Sequence, residues 1–470
     1  MTLSTPLLWV FLPIAIALIV LVFSKRKVFG IILTSLTGFG LALLANFFPE
    51  NMVLSIGPLN LIFKESLAIF GREVTIAYEI LPFIALIFSM TGLWALFSGL
   101  PNVPLTFRPI SLVITSLLAA SFGVEPFLYA ALLIETAVLL SIPMLSPMGK
   151  LPHSGVLRYL TLQTLAMPFI LLAGWLLTGV EALPPESPLI LQSALVLGIG
   201  LALLLAVFPF HSWVPMLSQR SNPLVASFIL FIMPTTILLF SLNFLNRYPF
   251  LRDTEMLFST LRIVGALLIA ISGVWTAVQT DLKRALGFAV LTETGFSLLA
   301  IGLAAEGGLT WMLMLFPVRG FSFWLWGTLL TRMESYNSDL TLPGIQGFAR
   351  RYPVFSFALV LVQFSVAGMP LLGEFPIKLS LLTTAYGVNS AIGIWSFIGS
   401  LGLLLFSLRL LLTLVTPKKD DPALKWSHSE TLGEYLPILV MVLFMLAVGI
   451  FPNFFLSKIA ETLTVFGQLQ

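Results

Sequence analysis

Long apolar runs separated by short polar gaps extend along almost the whole chain. A run of about 20 apolar residues, coiled as a helix, crosses a hydrocarbon core of roughly 30 Å. Fourteen such runs are readable, at 5–23, 28–48, 79–100, 109–123, 125–145, 157–180, 188–209, 223–245, 257–279, 285–304, 309–331, 354–384, 391–415 and 433–456. In lipid every backbone N–H and C=O must be satisfied within its own segment, so these runs are helices and not open strands. The pattern predicts an all-α membrane protein of about fourteen transmembrane helices. One stretch differs. Residues 49–78 alternate apolar and polar positions in part, the period of a strand, and predict a short hairpin on one membrane surface.

Composition narrows the chemistry. Hydrophobic residues make up 58% of the chain and charged residues 10%. Soluble globular chains carry about a quarter charged residues, so that class is excluded. With no cysteine, disulfides, thiolate metal sites and iron–sulfur clusters are excluded. Only His153, His211 and His428 are available for haem or zinc, which argues against a metal site. No Gly-rich phosphate loop follows a strand, so no nucleotide site is visible. No cofactor is therefore expected on this chain, and the net charge of +3 points to loop asymmetry and not to nucleic acid.

The first apolar run precedes the basic cluster Lys25-Arg26-Lys27, the reverse of a cleaved signal peptide. It reads as a first transmembrane helix with its N-terminus outside. With that orientation the inner loops and adjoining helix ends collect sixteen Lys and Arg, the outer side six, and two, Arg319 and Lys378, fall within spans. The asymmetry agrees with the positive-inside rule and an even number of spans, placing both termini on the outer side. The apolar start without a transit peptide points to a prokaryotic inner membrane.

An internal repeat is visible. Ala131-Leu-Leu-Ile-Glu135-Thr136-Ala-Val-Leu-Leu140 resembles Ala289-Val-Leu-Thr-Glu293-Thr294-Gly-Phe-Ser-Leu298. Two helices later, Pro209-Phe-His211-Ser-Trp-Val-Pro215 has the proline spacing of Pro370-Leu-Leu-Gly-Glu374-Phe-Pro376. The offsets, 158 and 161 residues, nearly agree. Five spans separate the copies, so they run through the membrane in opposite directions. Inverted repeats with proline-broken helices in matching positions point to a transport pathway near the midplane.

Several motifs occur in a fixed order: Phe208-Pro-Phe-His-Ser-Trp-Val-Pro215, Asn222-Pro223, Thr280-Asp281-Leu-Lys283-Arg284, Asp339-Leu-Thr-Leu-Pro-Gly344 and Ala367-Gly-Met-Pro370-Leu-Leu-Gly-Glu-Phe-Pro-Ile-Lys378. As an ordered set covering nearly the whole chain, they resemble the antiporter-like membrane subunits of respiratory complex I. The same domain occurs in multisubunit sodium/proton antiporters and membrane-bound hydrogenases. The resemblance implies fourteen helices with two inverted five-helix repeats, helices 4–8 and 9–13, and interrupted helices 7 and 12. The corresponding blocks are 1–108, 109–245, 257–415 and 416–470. The chain ends soon after its last apolar run, so it looks like the shorter members that lack a lateral helix.

The intramembrane charges are the candidate functional residues, because a charge in hydrocarbon must be paired, hydrated or neutralised. Glu135 lies midway along the fifth span and matches the family's helix-5 glutamate. Lys378 lies in the interrupted twelfth span and matches the family's helix-12 lysine. Glu374, four residues earlier on the same helix face, is placed for a local ion pair. Glu293, the repeat-mate of Glu135, is a candidate relay residue. Arg319 does not release its proton readily, so it reads as a counter-charge, with pairing to Glu293 expected. Asp281, Lys283 and Arg284 form an inner-surface motif that is either a proton-entrance element or a positive-inside anchor. Pro209, His211, Pro215, Pro370 and Pro376 mark the helix breaks, with the His211 ring expected to satisfy freed backbone groups.

The sequence departs from the family at three positions. The helix-7 lysine falls at Leu204, the helix-8 lysine in Phe231-Ile-Met-Pro-Thr235, and a helix-11 lysine near Phe323. A proton wire must therefore use Glu135, Glu293, Lys378, polar groups and water. Three readings follow. The first is a membrane-arm subunit of a complex I-like NADH (or other donor):quinone oxidoreductase that contributes to proton translocation and holds no redox site itself. The second is a subunit of a cation/proton antiporter or membrane-bound hydrogenase, moving protons or sodium. The third is a non-pumping structural member. Each implies other membrane subunits and the lipid bilayer as partners.

Overall fold

The computed structural model describes residues 2–48, 53–56, 59–69, 71–125, 129–146, 149, 151–177, 188–248, 255–417, 426, 429–452 and 454. His428, Lys150, Arg252, Lys418, Lys419, Lys425 and Lys458 lie outside these residues, as do the ends of the sixth and fourteenth apolar runs. In chain order the helices are α1 (Leu12–Val22, after a π-helical turn at Leu7–Phe11), α2 (Lys27–Asn46), α3 (Leu81–Leu96), α4 (Phe107–Ser121), α5 (Tyr129–Leu145), α6 (Ser154–Leu177), α7 (Pro188–Leu204) and α8 (Trp213–Arg220). They continue as α9 (Pro223–Arg247), α10 (Glu255–Ala277), α11 (Leu282–Gly302), α12 (Gly308–Tyr336), α13 (Pro353–Ala367), α14 (Phe375–Val388), α15 (Ser390–Val415) and α16 (Leu432–Ile450). Among the described residues nine helices are long and apolar enough to cross a membrane.

Within the described residues each predicted run contains a helix, with two refinements. The seventh run stops at Leu204 and helix resumes at Trp213, giving α8, a short segment outside the predicted runs. The twelfth run is two helices, α13 and α14, separated at 368–374. The expectation of a single hairpin within 49–78 is also enlarged. Strands β1 (Thr2–Ser4), β2 (Val53–Ile56), β3 (Leu59–Lys64), β4 (Ser66–Ile69), β5 (Arg72–Thr75) and β6 (Val124–Glu125) form two small three-stranded sheets. β2 and β3 pair antiparallel, as do β4 and β5, while β1 lies parallel to β3. Thr5 clamps the chain where it leaves β1, donating its hydroxyl to the Glu65 and Ile76 carbonyls at 3.0 Å each.

The chain divides into two compact units, Met1–Leu205 with Ile232–Asp253, and Ala206–Phe231 with Thr254–Gln470. In the first unit α6 packs on α7, and the buried Gln163 amide donates to the Leu204 carbonyl at 3.0 Å. The second unit is organised around α11, whose residues are almost all buried. Glycines permit this. A Cβ on Gly265 of α10 would lie 2.6 Å from the Leu299 nitrogen of α11, and one on Gly287 of α11 2.6 Å from Pro215 Cα of α8. Close backbone approach of this kind gives membrane helices packing contacts that lipid cannot supply.

Both helix breaks carry a non-glycine residue in the left-handed region, Ala206 at φ 54° and Leu371 at φ 70°. For an L-residue this costs roughly 1–2 kcal/mol. Leu371 is 65% exposed, so its side chain contributes little packing. Leu371→Gly is expected to leave the stability unchanged or raise it by up to about 1 kcal/mol, because relieved strain offsets the added freedom of the unfolded chain. A midpoint several degrees lower in detergent would show that Leu371 packs against something the chain does not itself provide.

Candidate functional site

The second break assembles a buried charge cluster. α13 ends at Ala367, Gly368 takes a left-handed conformation at φ 79°, and Met369 N–H closes the end on the Phe364 carbonyl at 2.9 Å. The Val366 carbonyl would receive its helical hydrogen bond from residue 370, but Pro370 has no N–H. The Lys378 ammonium takes that orphaned acceptor. Lys378 sits one turn into α14, and it also bonds the Glu293 carboxylate of α11 and lies 2.9 Å from Glu374 Oε2. Its Nζ is 5.0 Å from the centre of the Phe296 ring, a further favourable contact for a cation. Glu374 occupies the N-terminal end of α14, where the helix dipole favours negative charge.

Arg319 of α12 completes the cluster. It donates to Ser297 Oγ at 2.9 Å and to the Glu293 backbone carbonyl at 3.4 Å, and its guanidinium lies 4.8 Å from the Phe316 ring centre. The expected pairing with Glu293 is thus made through the glutamate's main chain, while the Glu293 carboxylate bonds Lys378. Glu293, Glu374, Lys378 and Arg319 are each at most 2% exposed. Two carboxylates face two cations, so the site is formally neutral. An unbalanced charge at this depth would cost several kcal/mol. Glu293 Oε2 and Glu374 Oε1 are buried without a hydrogen-bond partner among the described residues, leaving acceptor capacity on both sides of the lysine. Gln363, one turn before Val366, is 2% exposed with both amide atoms in the same condition.

The other sequence candidates lie elsewhere. Glu135 of α5 is partly exposed, accepts from Thr164 Oγ1 of α6 at 2.6 Å, and makes no ion pair among the described residues. His211 stands in the short turn Phe210–Ser212, its ring 5.4 Å from that of Phe208. Asp281 caps α11 through the Arg284 N–H at 2.9 Å and accepts from Gln219 of α8 at 3.1 Å. Lys283 is ion-paired with Glu334 of α12 at 2.9 Å, and Arg284 lies over Phe288 at 6.0 Å. Asp281 and Lys283 thus tie α11 to α8 and α12, while the Arg284 contacts stay within α11. Sequence reasoning missed Ser297, Gln363, Thr164 and Glu334. Ser297 had a signal, being one helical turn from Glu293; the other three are polar residues that nothing local distinguishes from their neighbours.

Comparisons with known proteins agree with this architecture. Residues 174–404 match the NADH:quinone oxidoreductase/Mrp antiporter transmembrane family. NADH-quinone oxidoreductase subunit N 1 of Herpetosiphon aurantiacus is 25% identical over 307 residues, which is 63% of this chain and 59% of that relative's length. Among solved structures, a chain of the Mrp complex from Dietzia sp. superposes with a TM-score of 0.80 at 16% identity, covering 99% of this chain and 97% of that one. A chain of respiratory complex I from Thermus thermophilus gives a TM-score of 0.76 at 18% identity, with 99% of each chain covered. The shared fold, the family match over residues 174–404 and the ordered motifs together show what this chain is similar to: the antiporter-like membrane subunits of the NADH:quinone oxidoreductase/Mrp antiporter family.

Proposed function

We propose that the chain is a membrane-arm subunit of a complex I-like NADH:quinone oxidoreductase and translocates protons through the Glu293–Lys378–Glu374 cluster. It spans a prokaryotic inner membrane about fourteen times, with two inverted five-helix repeats and both termini outside. The observation that carries the reading is a lysine held between two fully buried carboxylates at a broken helix. A buried ion-paired lysine is costly as a structural device, but it suits a site that must gain and lose a proton. The relay is balanced at each step. The Lys378 ammonium gives a proton to one carboxylate, leaving a neutral amine and a neutral acid. The acid passes its proton onward through a free carboxyl oxygen, and the amine is reprotonated from the other side. Arg319 keeps its proton throughout and holds the local charge near zero. The buried Gln363 offers a polar step beside the cluster. Redox chemistry belongs to other subunits, and no cofactor is assigned to this chain.

Glu293→Gln tests the reading in the intact complex, reconstituted in vesicles with a pH-sensitive dye. Protons moved per quinone reduced should fall severalfold while electron transfer continues. Unchanged proton uptake would overturn the conducting role and favour a structural subunit. A second reading has a specific observation behind it, since the Mrp complex chain superposes at least as well as the complex I chain. In that case transport would follow a sodium gradient and would not depend on quinone.

A further inference from the structure

We propose that protons reach Lys378 from the inner membrane surface within the second unit itself, along a row of buried polar groups on α12 and α13 centred on Gln363. The inner surface, in the proposed orientation, is the one where α12 ends and α13 begins. The proposal rests on the reading of the Glu293–Lys378–Glu374 cluster as a proton relay and supplies its entrance.

On α13, Ser356 and Gln363 stand two helical turns apart and share one face. Gln363 is about 4.5 Å along the helix axis from Val366, whose carbonyl holds Lys378, and Ser356 is about 15 Å from it, near the inner end. On α12, Ser322 and Trp326 follow Arg319 on one face that runs inward from the cluster. α12 and α13 pack against each other. Ser322, Trp326, Ser356 and Gln363 are each at most 3% exposed. Yet Ser322 Oγ, Trp326 Nε1, Ser356 Oγ and both amide atoms of Gln363 have no hydrogen-bond partner among the described residues. The row reaches the inner surface beside Glu430, which caps the first turn of α13. Its carboxylate accepts from the Phe355 N–H at 2.8 Å and the Val354 N–H at 3.2 Å.

Native interiors satisfy nearly all buried polar groups, so a row of orphaned ones requires a cause. The outer half of the same unit follows the rule. There the buried Ser297, Ser396 and Ser400 each donate to a carbonyl one turn earlier, at 3.0, 2.9 and 3.3 Å. Along the inner row the partners are waters, which settle where a buried site offers several polar atoms. Donors and acceptors are both present, from an amide, two hydroxyls and an indole N–H. Such a file moves a proton without ionising its walls. Each water releases one proton as it receives another, while Gln363 and Ser356 keep their own and orient the waters. The last proton restores the ammonium of a deprotonated Lys378.

The chain has no cysteine, so a single introduced thiol can be followed. In the assembled complex, Ser356→Cys and Gln363→Cys are treated with silver ion in chloride-free buffer from either side of sealed vesicles. Thiols left unreacted are counted by mass spectrometry of this chain. Both should react from the inner side about tenfold or more faster than from the outer side, since a thiol reacts as the thiolate and only where water reaches it. Ala358→Cys, on the far side of α13, and Ser396→Cys, in the outer half of α15, are buried controls that should stay unreacted. Faster reaction from the outer side, reaction of either control at the same rate, or no reaction at positions 356 and 363 would overturn the proposal. Gln363→Leu keeps the size of the side chain but dries the row. It should lower the protons moved per quinone reduced severalfold while electron transfer continues. Gln363→Ser leaves room for a water and should retain more transport than Gln363→Leu. Full transport by Gln363→Leu would also overturn the entrance. Because thiol reaction reads hydration and not proton transfer, its failure is separable from failure of the Glu293 experiment.

Discussion

Lys378→Met is expected to abolish proton translocation by the assembled complex and to lower the stability of the chain by about 3–5 kcal/mol. The substitution keeps the length and apolar stem of the side chain but removes its charge. Glu293 and Glu374, both 0% exposed, would then face only Arg319, and the Val366 carbonyl would lose its donor. The site would become net negative where every charged side chain is buried. Thermal unfolding in detergent measures the stability loss, and dye uptake in vesicles measures transport. The double variant Lys378→Met with Glu293→Gln separates the two effects. It restores the charge balance between Glu374 and Arg319, so much of the stability should return. Transport should not return, because the group that exchanges the proton is gone. Transport by the double variant would show that the cluster holds the helices together and carries no protons.

Much of this architecture follows from local signals. A membrane-spanning helix must satisfy its own hydrogen bonds, so its apolar run marks it without reference to anything distant. The breaks were legible for the same reason: Pro209 and Pro370 each remove a donor. Even the Val366 contact is implicit in the sequence, four residues before Pro370. α8 escaped because Trp213–Arg220 is short and partly polar, with its proline buried against α11. The chemistry of the site was harder to read. Lys378 and Glu293 are 85 residues apart, and nothing local says that α14 presents the lysine to α11. Arg319 meets Glu293 at its main-chain carbonyl, and which atoms meet depends on Ser297 and on the lysine already holding the carboxylate. The likeness of the Glu135 and Glu293 segments does not extend to their surroundings. Glu293 is buried in an ion pair, and Glu135 is partly exposed beside a threonine.

Gly273→Val should prevent the second unit from folding normally. A Cβ at Gly273 of α10 would lie 2.1 Å from the Gly399 carbonyl oxygen of α15, and one at Gly402 would lie 2.2 Å from the Gly273 carbonyl oxygen. The obstructing atoms are backbone, so no rotamer change relieves the overlap and the two helices must separate. Overpacking a core with movable side chains costs about 1–3 kcal/mol, and forcing backbones apart costs more. The damage reaches the site, because an adjoining part of the α10 surface, at Gly265 and Ile269, is packed just as closely on α11. A Cβ at Gly295, two residues from Glu293, would sit 2.9 Å from the Gly265 carbonyl oxygen. α10 thus holds both α15 and α11 at backbone distance, and the position of Glu293 depends on glycines far from any charge. The expected result is little folded chain recovered from membranes and no proton uptake by what remains. Gly40→Ala is the control, since a Cβ there meets nothing within 4 Å, and it should be recovered at the normal level. Equal recovery of both variants would mean that α10 and α15 do not approach this closely in the membrane.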